Sequence, residues 1–274
     1  MDIIAKARSG SEVRKLARTG KFSAQTAGQA PNYLQGNIVI LPLKSASDFL
    51  QFCLNNPKPC PLIGLGKPGD PGIPLLGTDI DIRTDVPLYH VFKNGVLFEY
   101  VKDILDYWSN DLVTFVLGCS FTFEDALMQA GFGVPHIEQG KNAAMFKTNI
   151  QTIPGGVFKG PLVVSMRPYP KEYIPQIFDL CSQYPQAHGA PIYWGNPGKI
   201  GIMDLQSPDY GDVVDVRDNE IPVFWACGVT PQATIKTAKP DLCITHAPGH
   251  MLVTDISSDE PPETITAMSS FQIQ

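Results

Sequence analysis

The chain has 274 residues, of which 43% are hydrophobic and 18% are charged, and its formal net charge is −6. This composition is typical of a compact globular protein and excludes a disordered or fibrous chain. The acidic balance and the lack of a basic run argue against a nucleic-acid partner. No apolar run is long enough to span a bilayer, and the first twenty residues are too polar for a signal peptide. We therefore expect a cytoplasmic protein that does not contact a membrane.

The first predicted elements are a helix over residues 2–19, whose apolar residues recur at helical spacing, and a short apolar strand over 38–41. The stretch "SASDFLQFCLNN" predicts a second helix, capped by Ser45 or Ser47. The stretch that follows, over 56–77, is so rich in proline and glycine that it predicts only loops.

Strands then alternate with helical segments along the rest of the chain. In "TDIDIRTDVPLYHVF" the alternation predicts a strand with Asp79, Asp81 and Arg83 on one polar face. Four nearly continuous apolar runs read as strands covered on both faces: "LVTFVLG", "GPLVVSMRP", "IPVFWAC" and "DLCITHA". We therefore predict an α/β or α+β fold with a partly parallel sheet flanked by helices. It forms a single compact unit over 1–274, with a smaller α+β subdomain inserted at about 120–220.

One cysteine frame occurs twice, in "FVLGCSFTFEDAL" and "VFWACGVTPQATI". Each segment has an apolar strand, a small residue, a cysteine (Cys119 or Cys227), a two-residue turn and then a threonine. In the first segment the turn begins with Ser120. Thr122 and Thr230 are the predicted N-caps of the helices that follow, and both, with Ser120, are candidate substrate-binding residues. A thiol near a helix N-terminus is expected to have a lowered pKa, so two such thiols facing one cavity would suit a nucleophile, an acid/base pair or anion-binding neighbours. The alternative is that a small polarisable residue simply fits a tight corner.

Histidines supply the second group of candidates. His246 and His250 lie four apart in "CITHAPGHMLVTD", where Pro248 rules out a continuous helix and favours a loop that presents two acid/base or hydrogen-bonding groups. His188, before a Gly/Pro turn, ranks lower. The polar turn "VPHIEQGKN" offers Glu138 as a base, with Lys141 beside it.

Two arginines, Arg167 and Arg83, are the best candidates to bind a substrate carboxylate through a bidentate fork. Asp79 and Asp81 are weak candidates for a divalent cation, because two carboxylates alone make a poor site. No glycine-rich nucleotide motif is present, so we expect neither a cofactor nor a metal.

These segments, together with "NPKPCPLIG", "GDPGIPLLGTDIDIRTDVP", "HIEQGKN" and "HGAPIYWG", resemble the D-glutamate cyclase family, whose bacterial members are commonly labelled putative hydro-lyases. The resemblance runs from "TAGQAPNYLQGN" to "HMLVTD", nearly the whole chain. Pro135 stands where the family leads us to expect a basic residue before "HIEQG", and "NAAMFKTN" replaces a proline-bearing version; both differences bear on substrate preference.

The resemblance implies loss of water from a small acidic metabolite, such as cyclisation of D-glutamate to 5-oxo-D-proline by cofactor-independent acid/base catalysis. Arg167 or Arg83 would hold the α-carboxylate, Glu138 or a histidine would be the base, and a histidine or thiol would be the acid. A C–O β-elimination would use similar parts. Two alternatives stay open: a two-cysteine racemase or epimerase, and a non-catalytic carboxylate-binding protein. A homo-oligomer is also compatible with the sequence.

Overall fold

The computed structural model describes residue 7, residues 9–258 and residue 260. Of the helix predicted over 2–19, residues Gly10–Arg18 form helix α1, and residues 2–6 and 8 lie outside the described residues. Ser9 caps α1, because its hydroxyl accepts the Glu12 N–H at 3.3 Å.

The other described helices and strands alternate irregularly along the chain. The helices are α2 (Leu43–Asn55), α3 (Phe121–Gln129), α4 (Pro135–Glu138), α5 (Ile174–Ser182) and α6 (Val229–Ala238). The strands are β1 (Tyr33–Pro42), β2 (Leu62–Leu65), β3 (Tyr89–Lys93), β4 (Val96–Val101), β5 (Leu112–Gly118), β6 (Ala144–Gln151), β7 (Pro161–Pro170), β8 (Tyr193–Trp194), β9 (Glu220–Ala226), β10 (Leu242–His246) and β11 (Leu252–Ser257). None of the described helices is long and apolar enough to cross a bilayer.

The strands form two sheets. The first has the order β2-β5-β1-β10-β3-β4, with β11 also paired to β1, and the second has the order β6-β7-β9-β8. All pairings between the described strands are antiparallel. The α+β class is thus confirmed, whereas the prediction of a partly parallel sheet is wrong. A continuous apolar run indicates that both faces of a strand are covered, but it does not indicate whether the strand pairs in a parallel or antiparallel direction.

The central strands of both sheets are covered on both faces. On β1, Ile38 and Ile40 enter one apolar cluster with the 73–86 loop, while Val39 and Leu41 enter another under helix α2. The aromatic side chains of α2 anchor this second cluster, with Phe49 packed edge-on against Phe115 at 4.9 Å between ring centroids.

The second sheet is built in the same way. On β9, Val223 and Trp225 pack under helices α3 and α5, and the intervening Phe224 packs on the opposite face. All strands of the second sheet fall between residues 144 and 226, after β5 and before β10 of the first sheet. An inserted subdomain over about 120–220 stays a prediction.

Three local predictions differ from the structure. Helix α2 begins at Leu43 with no side-chain cap, rather than after Ser45 or Ser47. Strand β2 lies within the predicted loop region. Of the strand predicted over 78–92, residues 89–92 belong to β3. Residues 78–88 form a series of turns, because Asp81 accepts the N–H of Arg83 at 3.0 Å and so ties the backbone locally.

Candidate active site

The two cysteine corners, where β5 leads into α3 and β9 leads into α6, open onto one cavity of about 250 Å³. This volume lies below the roughly 300–1,000 Å³ of drug-sized ligand sites and suits a small metabolite. Polar groups on its wall include Cys119, Cys227, Ser120, Ser165, His188 and His246. Among the described residues, no Lys, Arg, Asp or Glu side chain lines this cavity.

The two corners have the same backbone geometry. The Thr122 N–H donates to the Cys119 carbonyl at 3.2 Å, and the Thr230 N–H donates to the Cys227 carbonyl at 3.0 Å. The Val229 N–H also approaches the Cys227 sulfur at 3.5 Å. The frame repeated in the sequence is therefore a structural repeat, and it brings both sulfurs to one space.

The expected lowering of the thiol pKa values does not occur. Burial raises the pKa of Cys119 to about 12 and that of Cys227 to about 11. The backbone N–H groups of Phe121 and Val229 act in the opposite direction but are outweighed. At neutral pH both groups are neutral thiols, which can donate a proton but are not ready nucleophiles.

The threonines do not cap the helices, since each helix begins one residue before its threonine. The Thr230 hydroxyl accepts the Val163 N–H at 3.0 Å and donates to the Val163 carbonyl at 3.2 Å, which fastens α6 to β7. The Thr122 hydroxyl is buried and has no hydrogen-bond partner among the described residues. Neither threonine lines the cavity.

Asn37, from the middle of β1, connects the two corners to the histidine loop. Its Nδ2 donates to the Gly118 carbonyl at 2.9 Å, and its Oδ1 lies 3.0 Å from His246 Nε2. A Cβ atom on Gly228 would lie 2.6 Å from Asn37 Nδ2, so the second corner needs glycine beside this amide. The Asn37 amide therefore contacts both cysteine corners and the histidine loop.

His188 is brought to the cavity by a close approach at the first corner. A Cβ on Gly118 would lie only 1.6 Å from the Gln186 carbonyl oxygen, so glycine alone lets this turn reach β5. His188 adopts a left-handed conformation (φ 78°), rare for a residue with a side chain. Its Nδ1 lies 2.8 Å from the Lys58 carbonyl and must carry the proton, because a carbonyl only accepts. Burial lowers the pKa of His188 to about 4, so the neutral ring keeps a lone pair on Nε2.

His246 is buried at the end of β10. Its Nδ1 lies 2.7 Å from the Ala247 carbonyl, and its Nε2 lies 3.0 Å from Asn37 Oδ1 and 3.4 Å from Gln232 Nε2. Burial lowers the pKa of His246 to about 4, yet oxygen acceptors face both ring nitrogens and would satisfy a second proton. His250 differs, because its Nδ1 is turned to the Pro248 carbonyl at 2.8 Å and it does not line the cavity.

Arg167 lies one layer behind the wall. Its guanidinium forms a buried ion pair with Glu124 and donates to Ser120 Oγ at 3.0 Å and Ser165 Oγ at 3.1 Å. Burial opposes ionisation of Glu124, but Arg167 and then His136 outweigh it and hold the pKa of Glu124 below its usual value. Arg167 therefore acts on the two serine hydroxyls of the wall, and its charge already has a carboxylate partner.

The remaining sequence candidates lie away from the cavity wall. Glu138 is exposed at the end of α4. The Lys141 ammonium contacts Gln139 at 3.1 Å and lies 3.5 Å from Asp215. The structure does not bring either residue to the thiols.

The polar face predicted around Asp79 is an arginine network. Arg83 donates to Asp81 in its own loop, with Nη2 2.7 Å from Oδ2, and Asp79 pairs with the buried Arg14 of α1. The described residues contain no group of three or more His, Cys, Asp or Glu side chains able to hold a metal ion. Arg83 therefore has a local partner and does not line the cavity, and Asp79 and Asp81 are each paired with an arginine.

The sequence analysis missed several residues of the wall: Asn37, Ser165, Gln232, Tyr210 and Asn142. Two of them carried a readable signal. Asn37 and Ser165 are polar residues in strands that are mostly apolar and buried, and a polar side chain in such a strand needs a partner or a function.

Comparisons with known proteins identify the family. A family model described as D-glutamate cyclase matches residues 113–255. A protein of Verminephrobacter eiseniae is 53% identical over 251 residues, 92% of each chain, and one of Jannaschia sp. is 54% identical over 247 residues, 90% of this chain and 93% of its own. One of Bacillus subtilis is 51% identical over 248 residues, 90% of this chain and 96% of its own. Each of the three bears the name "Putative hydro-lyase".

The chain belongs to the D-glutamate cyclase family, which confirms the resemblance read from its motifs. The family and the names of these relatives place it among lyase enzymes. A solved structure of a nitrogen repressor-like protein, MJ0159 from Methanococcus jannaschii, aligns with 86% of this chain and 92% of its own at 9% identity. Its TM-score of 0.38 is too low to bear on function.

Proposed function

We propose that the cavity removes water from a small amino diacid, and that cyclisation of D-glutamate to 5-oxo-D-proline is the reaction it fits best. The observation that carries the proposal is the meeting of four proton-transferring groups, Cys119, Cys227, His188 and His246, on the wall of one uncharged cavity of about 250 Å³. Family membership supplies the reaction class, and this geometry supplies the groups.

The cyclisation requires proton transfers, but overall it neither takes up nor releases a proton. The amine nitrogen of D-glutamate forms a bond to the γ-carboxyl carbon, a C–O bond breaks, and two protons that leave the ammonium depart with that oxygen as water. A base must therefore act at the nitrogen and an acid at the departing oxygen. His188 Nε2 suits the base, because its lone pair is left free by the Nδ1 contact to Lys58.

The thiols suit the acid. Burial keeps both protonated at neutral pH, so Cys119 or Cys227 can give a proton to the departing oxygen and recover the one that His188 has taken from the amine. An anionic substrate next to His188 raises the pKa of its imidazole above the value of about 4, because a neighbouring negative charge favours the charged ring.

Ser165 suits the oxygen that carries charge in the tetrahedral intermediate. Its Oγ accepts a hydrogen bond from Arg167, so its own O–H proton is available to a substrate oxygen. Ser120 Oγ accepts from the same guanidinium but donates its proton to Glu124 Oε1 at 3.3 Å, so Ser120 belongs to the ion-pair network behind the wall. A hydroxyl polarised by a buried cation is a preorganised donor of the kind that stabilises an oxyanion.

A racemase or epimerase is the second candidate, because the two sulfurs reach one cavity from separate corners. That reaction needs one thiolate at rest to take the Cα proton. The raised pKa values of both thiols oppose this, so dehydration is the better fit. A C–O β-elimination from a hydroxy acid would use the same base and acid.

The reactions separate in one experiment in D₂O. The purified protein is incubated with D-glutamate, L-glutamate and small hydroxy acids, and the products are followed by mass spectrometry and proton NMR. Cyclisation gives 5-oxo-D-proline that keeps its Cα proton, racemisation gives glutamate deuterated at Cα, and elimination gives an unsaturated acid. Stabilisation of the fold by these acids without any product would instead identify a binding protein and refute the proposal.

Single cysteine variants test the assigned acid. At least one of the variants Cys119→Ala and Cys227→Ala should lower kcat by roughly 10²–10⁴-fold, the range for a general acid. Cys243→Ala is the matched control, since Cys243 is a buried thiol in the core under α2 and does not line the cavity. Full activity in both cavity variants would exclude thiol acid catalysis.

A further inference from the structure

The catalytic cavity lacks a charge that a diacid would need. Both carboxylates of D-glutamate are ionised in water, and the proposed reaction consumes only one of them. The other, left in an apolar cavity without a counter-charge or hydrogen bonds, would be strongly unfavourable. Arg167 does not meet this need, because it lies behind the serines and is paired with Glu124. The cation must come from beyond the wall.

A second cavity of about 440 Å³ adjoins the first. The two share Tyr210, Gln232 and Pro248, so these side chains form a common wall. The far side of the second cavity is the hairpin of β3 and β4, and its remaining wall includes Lys236 of helix α6.

Helix α6 links the two cavities. Gln232 and Lys236 are four residues apart and therefore share one face of the helix, about 5–6 Å apart at their Cβ atoms. The Gln232 amide reaches into the catalytic cavity, 3.4 Å from His246 Nε2. The Lys236 ammonium stands over the ring of Tyr210, 5.9 Å from its centroid.

Lys236 is the cation that is open to a ligand there. It forms no ion pair among the described residues. The other lysine near the Tyr210 ring, Lys147, is held by Asp209 at 3.1 Å. Three carbon atoms separate the two carboxyl groups of glutamate, a reach comparable with one helical turn of about 5.4 Å.

We propose that Lys236, Tyr210 and Gln232 form a subsite for the non-reacting carboxylate of an amino diacid, with Lys236 as its counter-charge and a determinant of specificity. The assignment of the reacting end rests on the proposed function. Lys236 touches the spectator end of the substrate, so it governs binding and leaves the proton transfers unchanged.

Ligand binding tests the subsite independently of turnover. Glutarate, a five-carbon dicarboxylate without the amine, and butyrate, a monocarboxylate, are titrated calorimetrically at low ionic strength. Wild-type protein should prefer glutarate, and Lys236→Met should lose about tenfold in glutarate affinity, as expected for one charge-assisted contact, with butyrate unchanged. Lys236→Arg should retain the preference. Lys199→Met, at an exposed site away from both cavities, controls for the change in net charge.

Kinetics separate this inference from the proposed function. If D-glutamate is cyclised, Lys236→Met should raise KM about tenfold and leave kcat unchanged. Unchanged glutarate affinity in Lys236→Met, or no wild-type preference for glutarate over butyrate, would overturn the subsite even if cyclisation is observed. If no cyclisation is observed, a glutarate preference that depends on Lys236 would still uphold it.

Discussion

The buried pair of Arg167 and Glu124 behind the serines gives a prediction for stability and activity together. Both side chains are essentially inaccessible, at 0% and 2% exposure, and His136 Nε2 lies 3.7 Å from the Glu124 carboxylate. Arg167→Met keeps most of the side-chain length between the Phe123 and Trp225 rings but strands a buried carboxylate. Breaking one side of a buried pair costs about 3–5 kcal/mol, so we expect a loss of that size in urea unfolding.

The double variant Arg167→Met/Glu124→Gln tests the cause of that loss. Removing both charges should recover at least about 2 kcal/mol, since a neutral amide is much cheaper to bury than an unpaired carboxylate. The deficit of the single variant should also shrink between pH 8 and pH 5, because an unpaired buried Glu124 has a raised pKa and takes up a proton. An equal loss in both variants, independent of pH, would refute the charge argument. Activity should fall in both, because Ser120 and Ser165 lose their donor.

Two further predictions concern stability. Burial lowers the pKa of both His188 and His246 to about 4, against 6.5 when unperturbed. The unfolded chain therefore binds more protons between those values, and each ring should remove roughly 3 kcal/mol from the free energy of unfolding as the pH falls through this window. Urea midpoints at pH 7, 5.5 and 4.5 measure this, and a flat profile would contradict the burial of the rings. Gly118→Ala should lower the melting temperature sharply, because its Cβ would meet the Gln186 carbonyl, whereas Gly160→Ala has only an ordinary 3.5 Å contact and should melt like the wild type.

Local patterns predicted much of the fold. The four apolar runs became strands β5, β7, β9 and β10, and a helix follows each cysteine turn as predicted, although neither threonine caps it. Strand direction escaped prediction, because an antiparallel strand buried on both faces has the same composition as a parallel one. The turns around Asp81 read as a strand because their polar residues alternate by chance, and the arginine partner of Asp79 comes from α1, about 65 residues earlier.

The candidate site was predicted unevenly for a similar reason. The cysteine frame is local and could be read from two aligned segments. The contribution of His188 depends on Gly118 admitting the Gln186 carbonyl, a contact between segments about 70 residues apart. Arg167 was interpreted as a single charge, but its ion pair with Glu124 inside the protein changes it from a ligand for substrate into a support for Ser120 and Ser165. Contacts distant in sequence decide which polar residues face a ligand.

One physical cause accounts for the protonation state of the thiols and the imidazoles on the cavity wall. Withdrawal from water keeps the thiols protonated and the imidazoles neutral, and it should equally favour the protonated form of a reacting carboxyl. A neutral carboxyl is the better electrophile for an amine, whereas a carboxylate resists attack. If the proposed function holds, an uncharged wall favours catalysis. The charge that binds the non-reacting carboxylate is then better placed outside this cavity, on Lys236.

This reasoning predicts that a permanent cation in the catalytic cavity improves binding and harms turnover. Met145→Lys would place an ammonium among the wall residues. It should lower KM for D-glutamate, because it attracts the carboxylate, and lower kcat, because it holds that carboxylate ionised. Met203→Lys is the matched control, since Met203 is 88% exposed and does not line the cavity. Steady-state kinetics at neutral pH decide the matter, and a rise in kcat for Met145→Lys would show that the neutrality of the wall has no part in the chemistry.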